Sequence, residues 1–299
     1  MGSVNSTVVV GYDRSAPSQQ ALLVAGREAS LRHAVLTVVH AYHYARPTTP
    51  MFFTPPRLQD VYDKAAKKIA EEGVDYVRAR YPDLEARPVA EAGPAAHVLL
   101  TAGKEAALLV VGNRGRGGFA GLLLGSVSIR VLGGASCPVI VAGGDGRDGA
   151  AAYDRVVAAL DIDEPGCADV LAFASDEAAY RHVDLVAVYV SEDEERWVME
   201  QNLVAAGLMK SSAEVAADIE ERLTVAVLHA HAQHPEIKTS HQVVAGTTGK
   251  VLTEESSRAD LVVVGAHRRH GEHAGLRIGP VATTLLHHAH CPVAVVPHG

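Results

Sequence analysis

The residues with the clearest chemical potential form one glycine-rich stretch, Gly112-Asn113-Arg114-Gly115-Arg116-Gly117-Gly118-Phe119-Ala120-Gly121-Leu122-Leu123-Leu124-Gly125-Ser126-Val127, directly after an apolar run. Gly112 and Gly115, nine intervening residues, and then Gly125-Ser126 opening a helix would let backbone N–H groups approach a polyphosphate. A helix N-terminus adds partial positive charge to such a cradle. Ser126 is placed to donate a hydroxyl to a phosphate oxygen and to cap the helix. Arg114 and Arg116 make the loop electropositive. The bland reading is a surface loop with Ser126 merely a cap, but glycine placement between an apolar strand and a helix favours phosphate binding.

Other chemistries are weaker. The run Gly246-Thr247-Thr248-Gly249-Lys250-Val251 imitates the end of a P-loop, yet Val244 stands where its first glycine belongs and Val251 where Ser or Thr belongs. It reads better as a helix start. Gly115 to Ala120 imitates a dinucleotide fingerprint, which belongs to a first βαβ unit and not after a fourth strand. Ser15, Ser18 and His40 lack the GxSxG elbow and triad spacing of a hydrolase, so the serines read as caps for the first helix and no catalytic residue is assigned. Twelve of the sixteen histidines follow residue 150, including His267, His270 and His273 and the group His287, His288 and His290. Without a nearby Cys or fixed carboxylate they read as exposed residues, with no metal site. The acidic run 192–195 reads as a solvated loop.

The elements that must position the loop occur twice. Leu108-Leu109-Val110-Val111-Gly112 reappears as Leu261-Val262-Val263-Val264-Gly265, and Cys137-Pro138-Val139-Ile140-Val141 as Cys291-Pro292-Val293-Ala294-Val295. The opening runs ending at Asp13 and Asp161 also match. Three pairs in the same order at nearly constant spacing indicate duplication. Within each copy, β-branched runs alternate with longer amphipathic or alanine-rich stretches, as in βαβ units around a buried parallel sheet. Strands are expected over 7–11, 34–41, 84–90, 107–112 and 138–142, then 155–160, 183–190, 239–244, 260–265 and 292–296. Helices are expected over 18–33, 58–81, 94–104 and 126–132, with a long one in the second copy ending near residue 232. The glycine-rich segment 143–149 reads as the linker, giving domains 1–145 and 152–299.

Composition fits two folded domains: 299 residues, 48% hydrophobic and 21% charged. No apolar run approaches the roughly 18 residues needed to span a bilayer, and no signal-like segment opens the chain, so a cytoplasmic protein without a membrane partner is expected. Three scattered cysteines suit small buried hydrophobes better than a disulfide framework. The net charge of −8 argues against a nucleic-acid partner. That charge is uneven: residues 1–150 carry 16 Lys and Arg against 13 Asp and Glu, residues 151–299 carry 11 against 22.

The spacing of Gly112, Gly115, Gly125 and Ser126 resembles the nucleotide-binding pattern of the universal stress protein family, in its tandem-domain form. Asp13 after the first strand, Ala41 at the end of the second and Cys137-Pro138-Val139 before the last extend the resemblance over the whole chain. It implies an α/β fold of two tandem, doubly wound, open parallel five-stranded sheets flanked by helices, with strand order 3-2-1-4-5. It also implies ATP, with Mg, held with its adenine near Asp13 and Ala41, its ribose near Gly112, and its phosphates against Gly115, Gly125, Ser126 and Val127, with Arg114 alongside. Arg14, where many relatives have glycine, would crowd the adenine or contact phosphate. In the second copy Arg268 replaces the second glycine, the spacer to Gly279 is ten residues, and Pro280 supplies neither N–H nor hydroxyl, although Asp161 and Val190 keep the adenine-side positions. This copy is expected to bind nucleotide weakly or not at all.

The function expected is therefore a stress-response regulator that binds ATP in its first domain, at most a slow ATPase, acting with an unidentified protein partner. The alternatives are a nucleotide-independent interaction scaffold and a sensor of another adenine nucleotide such as cyclic AMP. The family resemblance places the last strands, 138–142 and 292–296, at sheet edges. That implies packing of the two halves on each other or a homodimer through those strands.

Overall fold

The computed structural model describes residues 6–43, 56–115, 124–144, 153–191, 212–269 and 275–299. Residues 1–149 with 269–276 form one compact unit, and residues 150–268 with 277–299 a second.

The first domain runs β1 (Thr7–Gly11), α1 (Ala16–Leu31), β2 (Val35–Tyr42), α2 (Pro56–Arg78), β3 (Ala86–Ala92), α3 (Ala95–Ala102), a 3-10 turn (Gly103–Glu105), β4 (Leu108–Gly112), α4 (Ser126–Gly134) and β5 (Val139–Ala142). Its strands are parallel in the order β3-β2-β1-β4-β5. Val8 to Val10 and Leu108 to Val111 are buried, as continuous apolar runs must be when helices cover both faces of a parallel sheet. Because β2 and β4 flank β1, the chain leaves β1 and β4 toward opposite faces. That opens a crevice at their carboxyl ends.

The second domain repeats the plan with β6 (Arg155–Ala159), α5 (Cys167–Arg181), β7 (Asp184–Ser191), α6 (Ser212–Gln233), β8 (Thr239–Ala245), α7 (Thr248–Ser256), β9 (Leu261–Arg269), α8 (Pro280–His288) and β11 (Val293–His298). The order is β8-β7-β6-β9-β11, again parallel, and a short strand β10 (Gly275–Arg277) pairs with β9. Each five-stranded sheet thus has the expected 3-2-1-4-5 order. The pseudo-P-loop is a helix start, with Gly246 at φ +143° and Thr247 in extended conformation at the N-cap position of α7. The presumed linker lies largely outside the described residues.

A buried ion pair recurs at the same place in both domains. Glu28 and Arg32 form an ion pair one turn apart at the end of α1, and Glu177 and Arg181 do the same at the end of α5. Both pairs are buried, and each arginine also donates to the glutamate's backbone carbonyl, at 3.1 and 3.0 Å. A left-handed histidine follows each, His33 at φ 50° and His182 at φ 54°, turning the chain into the next strand. Positive φ is uncommon for a residue with a Cβ.

Candidate nucleotide-binding site

The crevice of the first domain is a cavity of about 580 Å³. Asp13, Ala41, Gly112, Arg114, Gly115, Gly125, Ser126 and Val127 all line it, joined by apolar groups that include Val39, Leu99 and Leu124. Residues that are more than a hundred positions apart in sequence meet because β1, β2 and β4 end on the same side of one sheet.

Asp13 is held in a fixed pose by the start of α1. Its Oδ1 accepts the Ser15 N–H at 3.0 Å and the Ser15 hydroxyl at 2.5 Å, while its own N–H donates to Ser18 Oγ at 3.3 Å. Ser15 is also the cap of α1, accepting from Ser18 N–H at 3.3 Å. A Cβ on Gly115 would lie 3.1 Å from Asp13 Oδ2, so a side chain there would press on the carboxylate. Gly112 is tighter still: its Cβ would stand 2.7 Å from the Pro17 carbonyl oxygen, which requires glycine. Burial pushes the Tyr12 phenol above its ordinary pKa, with a smaller opposing hydrogen bond from Gln19.

The phosphate side differs in detail from the expectation. Gly125 N–H is committed to the Asn113 carbonyl at 2.7 Å, so it closes the loop and is not offered to a ligand. Gly125 itself is the cap residue of α4, so Ser126 is the first residue of the helix and not its cap. The donors at the cavity are the first N–H groups of α4, on Ser126, Val127 and Ser128, which have no acceptor within a helix. Ile129 N–H is the first to bond back, to Gly125 O at 3.0 Å. Ser128 Oγ donates to Gly112 O at 2.7 Å and ties the helix to the strand end. Arg14 is not among the described lining residues: at φ 65° it pairs with Glu72, Nε to Oε2 at 2.7 Å. Arg116 lies outside the described residues.

The second crevice, about 870 Å³, is lined by Asp161, Val190, Gly265 and Pro280 among others, so the counterparts of the first site do converge. Its walls are chemically different. β9 does not stop at Gly265, where the sequence reading ends the strand. It continues in register with β11 through Ala266 and His267, opposite Pro297 and His298. Backbone that forms the loop in the first domain is here part of a ladder. Asp161, Asp163 and Glu164 add acidity, and Arg277 is the arginine of the lining.

The remaining candidates disperse. His40 Nδ1 lies 2.8 Å from the Tyr12 carbonyl oxygen, remote from any triad role. His267 meets His298 edge-on at 5.6 Å, His287 and His288 sit at the end of α8, and His270, His273 and the acidic run 192–195 fall outside the described residues. Among the described residues no three His, Cys, Asp or Glu side chains are grouped as metal ligands.

The two doubly wound sheets, each with a crevice at its switch point, define a tandem α/β protein. The chain belongs to the universal stress protein family, whose profile matches residues 5–143 and 152–297. It is 33% identical over 295 residues to a universal stress protein of Mycolicibacterium smegmatis, covering 97% of this chain and 96% of that one. It is 32% identical over 316 residues to universal stress protein Rv2623 of Mycobacterium tuberculosis, covering 99% and 98%. Among solved structures, a universal stress protein from Archaeoglobus fulgidus DSM 4304 shares the fold, with a TM-score of 0.71 at 19% identity, covering 99% of this chain and 100% of that one.

Proposed function

We propose that the first domain binds an adenine nucleotide and that its occupancy regulates the protein in a stress response. ATP is the leading ligand, with Mg entering as the counterion of its phosphates; cyclic AMP in the same cavity is the alternative. The observation that carries this reading is the meeting of Asp13, Ala41, Gly112 and Gly115 with the first turn of α4 around one cavity. Helix N–H groups and the Ser126 hydroxyl suit an anion, and the apolar wall suits a base.

Hydrolysis is expected to be slow at most. Asp13 and Arg114 are the charged groups among the described lining residues, which is little with which to orient water and stabilise phosphoryl transfer. A cytoplasmic location and a homodimer through terminal strands belong to the same proposal; among the described residues no helix is long and apolar enough to cross a membrane. Light scattering that gives a single chain mass would refute the dimer.

The test is calorimetric titration of ATP and of cyclic AMP into the full chain and into Ser126→Ala. Binding at one site per chain, weakened about three- to tenfold by the loss of one hydroxyl donor, supports the reading. Absence of binding by both nucleotides would leave the scaffold as the better account.

A further inference from the structure

The two cavities share one half and differ in the other. In the second, Asp161, Val190 and Gly265 stand where Asp13, Ala41 and Gly112 stand in the first, on the ends of the equivalent strands. The half that would meet phosphate has been rebuilt. Backbone at Ala266 and His267 is held by β11, Pro280 removes an N–H from the first turn of α8, and no hydroxyl replaces that of Ser126.

Charge points the same way. Asp161, Asp163 and Glu164 line the cavity with Arg277 as the lining arginine, while Arg222 is already paired with Asp163 at 2.9 Å. A polyphosphate placed there would face these carboxylates with one helix-terminal donor fewer than in the first domain, the N–H groups of Val281 and Ala282 being those that remain. Val170, Val188, Leu252 and Val264 give the cavity an apolar side that suits a flat base, and Tyr189, Thr248 and His267 add the polar groups that suit a sugar. His298 also lines the cavity. It is more than nine-tenths buried, and its Nδ1 has no hydrogen-bond partner among the described residues.

We propose that the second-domain cavity is a separate site for an uncharged purine nucleoside, base and sugar without phosphate. The inference rests on the first cavity being an adenine-nucleotide site, because the shared half is then the base-and-sugar half. Asp161 Oδ1 already accepts the Asp163 N–H at 3.2 Å, so Oδ2 is the acceptor offered to a ligand N–H or O–H. The two domains would then respond to the phosphorylated and unphosphorylated forms of one ligand class.

The experiment uses the full chain and adenosine as probe. Gly115→Val, in which the first cavity is obstructed, is titrated with adenosine and with ATP, alone and combined with Asp161→Asn. Asparagine keeps the acceptor for Asp163 N–H and turns the second oxygen into a donor. The expected result is one adenosine per chain that ATP does not displace, with affinity falling about tenfold in the double variant at an unchanged thermal midpoint. Adenosine binding that ignores Asp161→Asn, ATP binding the double-domain chain equally at both sites, or no adenosine binding at all would overturn the proposal. Failure of the first-domain reading shows elsewhere, as absence of ATP binding to the wild-type chain.

Discussion

Gly115→Val isolates the contact on which the first cavity depends. A Cβ at this position lies 3.1 Å from Asp13 Oδ2, and Asp13 cannot swing aside without giving up the Ser15 N–H and hydroxyl bonds at 3.0 and 2.5 Å. Hydrogen bonds to a charged group are worth about 1.5–3 kcal/mol each, so the carboxylate holds and the exposed loop backbone at residue 115 yields instead. Shifting a solvent-facing loop costs the fold little, under about 1 kcal/mol. The displaced loop and the added isopropyl group both enter the cavity. A loss of about 2 kcal/mol in binding corresponds to roughly a 30-fold weaker Kd. Calorimetric titration with ATP, paired with thermal unfolding of the same preparation, reads both quantities. An affinity for ATP within threefold of wild type, at unchanged stability, would refute the assignment of Gly115 to the site.

Three further outcomes follow from the packing. Gly112→Ala should destabilise the first domain by about 2–3 kcal/mol in chemical denaturation, because its Cβ would meet the Pro17 carbonyl oxygen at 2.7 Å in a buried strand end. Glu177→Ala strands Arg181 without its buried partner and should cost about 3–5 kcal/mol, a loss read as a lower urea midpoint. The Cys137 thiol, which burial pushes up to about 11, should resist iodoacetamide at pH 8 in the native chain and react once the chain is unfolded.

Much of this was legible in the residues. The loop glycines could be placed because an apolar run, a short spacer and a helix start are local signals, and the duplication of β4 and β5 as β9 and β11 is written in near-identical strings. What escaped depends on partners distant in sequence. Ala266-His267-Arg268-Arg269 has no strand pattern of its own and becomes strand because β11 continues beside its first residues, a tertiary override of local preference. Gly125 lines the cavity as the spacing suggests, but the use of its N–H is not legible locally, because that group goes to Asn113, twelve residues back across the loop. Arg14 is likewise directed by a distant partner, Glu72 on α2, 58 residues on in sequence. The paired Glu28–Arg32 and Glu177–Arg181 were present in sequence as Glu-x-x-x-Arg-His in both copies, but charged residues on a helix are ordinarily solvated, and only burial shows their function.

The central claim is that the first domain holds an adenine nucleotide, and it is met most directly by denaturing freshly purified chain and identifying the released small molecules by mass spectrometry. About one adenine nucleotide per chain, absent from Gly115→Val prepared in parallel, is the result expected. No nucleotide from either preparation, together with no ATP binding in solution, would contradict it.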